Sequence, residues 1–241
     1  MIELRVLGAA ELQGSADDHA AILTQSKVLA TLVFLTLATP HGFHRRDRII
    51  GLLWPELDQE HARAALRKAV HVLRRSLGND AIEVRGDEEV GIAPGALWCD
   101  ALDFTAAFET KRYARALELY RRGDLLPGFF LPQAGEFEDW LARERSALRD
   151  LASAAAWGLA ALHTEGANHT VAGRYARQAA ALAPTDERVL RRVMQLLRRG
   201  GDRAGALHVY SDFAHRLARD HGALPSGETQ QLVAELRAGA E

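Results

Sequence analysis

The stretch Asp58–Leu77, DQEHARAALRKAVHVLRRSL, constrains this chain more than any other part of it. At 3.6 residues per turn, Leu66, Val70, Leu73 and Leu77 fall on one stripe of a helix, with Ala69 at its edge. The opposite side carries Arg67, Lys68, His71 and Arg75, flanked by Arg63 and Arg74, and no carboxylate occurs from His61 to Leu77. Such a helix buries one face in a small domain and offers the other to a polyanion or to solvent. Basic surface helices are common, so the neighbouring segments decide between those two readings.

Upstream, Val28–Ala38 is almost wholly apolar and ends at Thr39-Pro40-His41-Gly42, a stop and turn. It falls short of the roughly 20 residues that a bilayer requires and reads as a buried core helix. His44–Trp54 follows, with Ile50, Leu53 and Trp54 on one face and Arg45, Arg46 and Arg48 crowding its first turns. Pro55 ends it, and Asp58 is placed to cap the basic helix by accepting a backbone N–H. Two amphipathic helices joined by a short turn, the second one basic, form the helix-turn-helix arrangement.

Downstream, Gly78-Asn79-Asp80 breaks the helix. Ile82 and Val84 then alternate with Glu83 and Arg85, Gly86-Asp87 turns, and Val90 and Ile92 alternate again, the pattern of a two-stranded hairpin. At the N-terminus Ile2, Leu4 and Val6 alternate with Glu3 and Arg5, and a second apolar run, Ala20–Leu23, follows a loop over Gly14–Asp18. The expected fold is mainly α with a small β component. Residues 1–100 read as a winged helix-turn-helix DNA-binding domain with an antiparallel sheet and a β-hairpin wing.

The order LRVL (Leu4–Leu7), QSKVLATLVFL (Gln25–Leu35), LLWPE (Leu52–Glu56), ARAALRKAVHVLRRSLG (Ala62–Gly78) and a hairpin resembles the SARP-type bacterial activators. In those proteins the DNA-binding part is similar to the output domain of two-component response regulators. Tyr120–Gly128 (YRRGDLLPG), Glu138-Asp-Trp140 and Leu224–Thr229 (LPSGET) resemble the bacterial transcriptional activator domain, BTAD, that follows it. The resemblance spans nearly the whole chain. It implies a transcriptional activator that binds promoter repeats head to tail, as a homodimer on DNA, and recruits RNA polymerase.

From Asp103 onward the pattern is helical: short helices over Asp103–Lys111 and Arg112–Arg121, a turn-rich Gly123–Pro132, and a long helix from about Glu136 to His163. Further helices are interrupted at Gly166–Asn168, Pro184, Gly200-Gly201 and Gly222–Pro225. Leu159/Val193, Leu162/Leu196, Gly166/Gly200 and Ala172/Ala206 all pair at an offset of 34 residues, the period of tetratricopeptide helix pairs. Residues 101–241 are therefore expected to form an all-α, tetratricopeptide-like BTAD. A short stack of this kind, capped by the long helix and by Thr229–Leu236, favours an interaction module over a catalytic one.

Length accommodates two domains, each able to bury a core. A single cysteine, Cys99, excludes an internal disulfide framework, and the leader MIELRVLG lacks the order of a signal peptide, so a cytoplasmic protein is expected. The net charge of −2 does not by itself suggest nucleic acid, but its distribution does. Residues 1–100 contain 11 Lys/Arg and 14 Asp/Glu, whereas residues 44–77 contain 8 and 4. Arginine outnumbers lysine, which suits bidentate contacts to phosphate or guanine but equally reflects a GC-rich genome.

The candidate DNA-binding residues are Lys27, Arg45, Arg46, Arg63, Arg67, Lys68, His71, Arg74, Arg75 and Arg85. Lys27 and the pair Arg45–Arg46 open helices whose N-termini favour an anion, a solvated side chain being the alternative. Related hairpins commonly carry a glycine-tyrosine pair before the last strand; here Gly86-Asp87-Glu88-Glu89-Val90-Gly91 stands instead. Three successive carboxylates should be repelled by phosphate unless the tip points away, leaving Arg85 as the hairpin cation placed to reach DNA. Trp54 is expected in the core. Arg121-Arg122, Arg191-Arg192 and Arg198-Arg199 read as exposed or helix-terminal pairs, with a polymerase-facing surface as the sharper alternative.

Signals for catalysis are missing. The chain has no GxxxxGK[ST] phosphate loop, GxSxG elbow, HExxH helix or CxxC pair, and its ten histidines lack ligand spacing. An enzyme is not expected, nor a metal or cofactor. The leading expectation is a sequence-specific DNA-binding activator. Its rival is a helical-repeat adaptor whose winged helix binds DNA weakly and nonspecifically, a reading motivated by the acidic wing and the near-neutral charge.

Overall fold

The computed structural model describes residues 2–14 and 19–238, so Ser15–Asp18 of the expected loop lie outside the described residues. The chain forms two compact units. The first takes in the residues up to Ala106 together with Leu119–Leu148; the second takes in Ala107–Glu118 and the residues from Arg149 onward.

Strands β1 (Ile2–Arg5) and β2 (Glu11–Gln13) open the first unit as an antiparallel pair, Leu4 opposite Leu12. The apolar run Ala20–Leu23 forms a short helix, α1, that buries Ile22. Helix α2 (Ser26–Leu37) is buried over every residue from Val28 to Leu37, which is why its sequence is apolar all round rather than striped. The two-residue strand β3 (His44–Arg45) leads into α3 (Arg46–Leu53), which buries Ile49, Ile50, Leu52 and Leu53.

Helix α4 (Gln59–Leu77) has the cap expected of it: Asp58 accepts the His61 N–H at 2.9 Å. Its buried face is Ala62, Leu66, Ala69, Val70, Leu73, Ser76 and Leu77. Full burial of a leucine contributes about 1.5–3 kcal/mol, so this stripe sets the rotation of the helix and with it the direction of the arginines. After a 3-10 turn at Asn79–Ala81, strands β4 (Ile82–Arg85) and β5 (Glu89–Ile92) form the wing, Val84 opposite Val90. β3 joins the wing's other edge, giving the order β3-β5-β4.

Strand β6 (Leu97–Cys99) returns to run parallel to β1, completing a sheet of order β2-β1-β6. Asp100, at the start of α5 (Asp100–Glu109), is 2% exposed and accepts the N–H groups of Val6 at 2.8 Å and Leu7 at 3.2 Å. Helix α6 (Tyr113–Tyr120) precedes the turn-rich segment, which folds back on the end of β1. The Leu126 N–H donates to the Val6 carbonyl at 2.8 Å, and Gly8 donates to Asp124 O at 2.8 Å. A Cβ on Gly8, whose φ is +87°, would lie 2.6 Å from the Arg122 carbonyl oxygen, so the approach requires glycine.

Helix α7 (Gly135–Glu165) begins in the first unit, where Phe137 and Leu141 are fully buried. Trp140 meets the Phe34 ring edge-on at 5.1 Å. Arg145 of the same helix donates to the carbonyls of Leu125 at 2.8 Å and Phe129 at 3.1 Å, fixing the turn-rich segment.

In the second unit the 34-residue offset is structural. Helices α8 (His169–Leu182), α9 (Glu187–Arg199) and α10 (Arg203–His221) follow α7, and α11 (Gly227–Ala238) closes the stack. Asn168 caps α8 and Asp202 caps α10 at that offset. Each also donates its N–H at 2.8 Å to the helix before it, Asn168 to His163 O and Asp202 to Leu197 O. Ala172 and Ala206, both fully buried, hold equivalent positions in α8 and α10. Leu232, Val233 and Leu236 of α11 join the core of Leu190, Val193, Met194 and Phe213. Gly158 admits the Tyr113 ring, whose nearest carbon lies 2.5 Å from where a Cβ would stand. Among the described residues no helix is long and apolar enough to cross a membrane.

Candidate nucleic-acid interface

Burying Leu66, Val70 and Leu73 turns Arg63, Arg67, His71 and Arg74 toward one side of α4, and that side forms a wall of an open groove of about 750 Å³. Arg45, Arg46 and Asp47 at the start of α3 and Asp87 and Glu88 at the wing tip complete it. His71, Arg74 and Arg75 continue into a shallower depression ending at Gly78 and Asn79. Lys68 is exposed on the adjoining strip of α4, outside the groove lining.

The cations differ in what already holds them. Arg67, Lys68 and His71 are exposed and make no ion pair or hydrogen bond among the described residues. Arg63 pairs with Asp47 at 3.4 Å and Arg45 with Glu88 at 3.7 Å, both pairs well exposed. Pairs of this kind contribute under about 1 kcal/mol, so a phosphate can exchange for either carboxylate. Arg74 reaches the Ile82 carbonyl at 3.1 Å and ties α4 to the wing. Arg46 donates its backbone N–H to Glu88 O at 2.7 Å, while its Nε is closed off without a partner among the described residues.

Lys27 pairs with Glu56 and lies 5.6 Å from the Trp54 ring, which is buried as expected. The Lys27 ammonium holds the Glu56 carboxyl below its usual range through their hydrogen bond. Arg85 stacks over Phe43 at 3.8 Å on the exposed wing. The structure thus brings Arg45, Arg46, Arg63, Arg67, His71 and Arg74 to one groove and leaves Lys27 and Arg85 outside its lining.

The acidic wing does not extend away from the helices. Arg45 stands opposite Glu89 in the β3–β5 register, so Glu88 reaches the positive end of α3 beside Arg45. Behind this junction His44 is 3% exposed with its ring 5.2 Å from Phe34. Burial first, then Arg48 and His41, push its pKa below the usual histidine value.

Among known protein families, the model described as bacterial transcriptional activator domain matches residues 104–237, more than half of the chain. The chain belongs to the BTAD family. Its BTAD follows a winged helix, the SARP-type order. The fold is also similar to a solved structure of Mycobacterium tuberculosis EmbR in complex with a low affinity phosphopeptide, with a TM-score of 0.65 and 17% identity. That likeness covers 100% of this chain and 66% of the EmbR chain. No curated protein sequence matches the chain significantly.

The acidic groove residues Asp47, Asp87 and Glu88 were not among the sequence candidates of this BTAD protein. Asp47 gives its first-turn position in α3 as the only sequence signal, while the nearness of Glu88 to Arg45 depends on pairing between residues far apart in the chain. The YRRGDLLPG motif that carried much of the resemblance is structural: Arg122 donates to the Leu7 carbonyl at 3.2 Å and pairs with Glu11, while Tyr120 donates to Asp124.

Proposed function

We propose that this BTAD protein is a sequence-specific DNA-binding transcriptional activator that acts in the cytoplasm, binds promoter repeats as a homodimer and recruits RNA polymerase. The reading is supported above all by one observation: Arg67, Lys68 and His71 stand exposed on α4 and unpaired among the described residues, while the opposite face of the helix is buried and its start is capped. In this proposal α4 enters the major groove. Arg67 offers two parallel donors, the geometry that matches guanine O6 and N7, and Lys68 and His71 reach the adjacent edge or phosphates. Arg63 and Arg45 exchange Asp47 and Glu88 for phosphate, and Arg46, Arg74 and Arg75 line the same path. Lys27 and Arg85 contact the backbone at its margins. Residues 1–100 supply DNA binding and residues 101–241 the contacts between protomers and with polymerase.

The test is selection of bound sequences from a random duplex pool at near-physiological salt, with Arg67→Ala and Lys68→Ala alongside. A repeated motif should be enriched. Loss of one base-reading contact should cost about 1–3 kcal/mol and relax specificity locally, whereas loss of a phosphate contact weakens all sequences alike. An unenriched pool, the same for wild type and variants, would overturn the proposal in favour of a helical-repeat adaptor, the reading that the carboxylates in the groove support.

A further inference from the structure

Helix α9 carries five arginines, and they fall into two groups. Arg188 pairs with Asp186 at 3.4 Å, Arg191 with Glu228 at 3.0 Å and Arg198 with Glu235 at 3.4 Å. Arg192 and Arg199 have no carboxylate within ion-pair distance among the described residues. They are also the two that line a groove of about 340 Å³ between α9 and the second half of α7. The division follows the helix: Arg192, Leu196 and Arg199 recur at i, i+4 and i+7 on one face.

The facing wall is Trp157 and Ala161 of α7, and His169 at the start of α8 closes one end. Trp157 is half-buried, and the Arg192 guanidinium lies 4.1 Å from its ring centroid. A guanidinium stacked in this way is held flat while its N–H edges remain free for an oxyanion. The groove therefore combines an apolar floor of Trp157, Ala161 and Leu196 with two unneutralised guanidiniums, against one lining carboxylate, Glu165. Unpaired arginines beside a tryptophan are the composition of a binding hot spot rather than of a solvated face.

We propose that this groove is a docking site for an acidic peptide segment of a partner protein, one in which carboxylates flank a large apolar side chain. The apolar residue fills the gap beside Trp157 and Leu196, and the carboxylates engage Arg192 and Arg199. The inference stands on charge complementarity within the second unit and does not depend on DNA binding by the first.

A phage-displayed library of random 12-residue peptides, panned on the full chain, tests it. Enriched sequences should be acidic with an aromatic or branched apolar residue between the carboxylates. Synthetic versions, titrated by fluorescence polarisation, should bind about tenfold or more weakly to Arg192→Glu/Arg199→Glu and to Trp157→Ala. Arg188→Gln and Arg198→Gln, which alter arginines outside the groove, should bind as wild type does. Circular dichroism melts of every variant separate lost docking from lost folding. No enrichment, enrichment of neutral or basic sequences, or binding that survives the double reversal overturns the proposal. Self-association of wild type that the double reversal abolishes would assign the groove to a second copy of the chain, and overturns it too.

Discussion

Replacing Asp100 with alanine isolates a single buried carboxylate that holds the end of β1. The side chain is 2% exposed, with Oδ1 accepting the Val6 N–H at 2.8 Å and Oδ2 the Leu7 N–H at 3.2 Å. Stranding a buried N–H costs about 1–3 kcal/mol, so losing both acceptors costs about 2–6 kcal/mol. Relief of a buried charge works in the opposite direction, since burial raises the Asp100 carboxyl above its ordinary pKa. The expected net loss for Asp100→Ala is about 2–4 kcal/mol, a large part of the 5–15 kcal/mol typical of a folded domain.

Asp100→Asn keeps one acceptor for Val6 but turns an amide toward the Leu7 N–H, so its loss should be smaller, about 1–2 kcal/mol. Urea melts followed by tryptophan fluorescence suit this measurement, because Trp54, Trp98 and Trp140 lie in the first unit and only Trp157 in the second. The pH dependence has a defined sign. A carboxyl whose folded pKa is raised contributes stability that is complete below its unfolded pKa, about 3.9, and is lost as pH rises through the folded value. The margin of wild type over Asp100→Asn should therefore narrow as pH rises through that titration. A loss under about 0.5 kcal/mol for Asp100→Ala would refute the reasoning, showing that both N–H groups find other acceptors.

Two further outcomes are expected. His44 has a depressed folded pKa, so the first unit should keep full stability above pH about 6.5 and lose it as pH falls through the folded value; His44→Leu should flatten that acid-side slope in urea melts. Glu88→Gln removes a carboxylate from the groove that Arg45 lines, so the duplex recovered by selection should bind about threefold to tenfold more tightly at low salt, an effect that fades at high salt; unchanged or weaker binding would place Glu88 away from the DNA path.

What the sequence disclosed was local. Helix α4, its Asp58 cap and its buried stripe follow from spacing within 20 residues, and the hairpin from alternation on either side of Gly86. The 34-residue offset was visible because Leu159 and Val193, and Ala172 and Ala206, are buried at equivalent positions and Asn168 and Asp202 are equivalent caps, whereas Leu162 is exposed and its match to Leu196 is in sequence alone. Strand β1 was legible in the alternation of Ile2, Leu4 and Val6, but its partners were not, and the sheet expected to be antiparallel is mixed: β2 and β6 have three residues each, too short for a period, and β6 pairs parallel with residues far back in the chain. Individual arginines were equally opaque. Arg67 and Arg74 are alike in sequence, yet one is exposed and the other bonded to Ile82, because the wing's position decides which guanidinium finds a carbonyl. The same holds along α9, where carboxylates from outside the helix settle the fate of Arg191 and Arg198 but not of Arg192 and Arg199.

The route of β1 has a consequence for biosynthesis. Ile2 leaves the ribosome well before its parallel neighbour Leu97, and Leu126 and Trp140, which secure Val6 and Phe34, follow later still. Contacts so distant along the chain close slowly, because loop-closure entropy is spent before they form. During translation helices α1 to α4 can gather by themselves while β1, paired only with β2, waits with one unmatched edge. Strand β1 is therefore among the last elements to find its place in the fold, and a nascent chain arrested near Asp100 would carry an exposed strand that invites association with its neighbours on the same message.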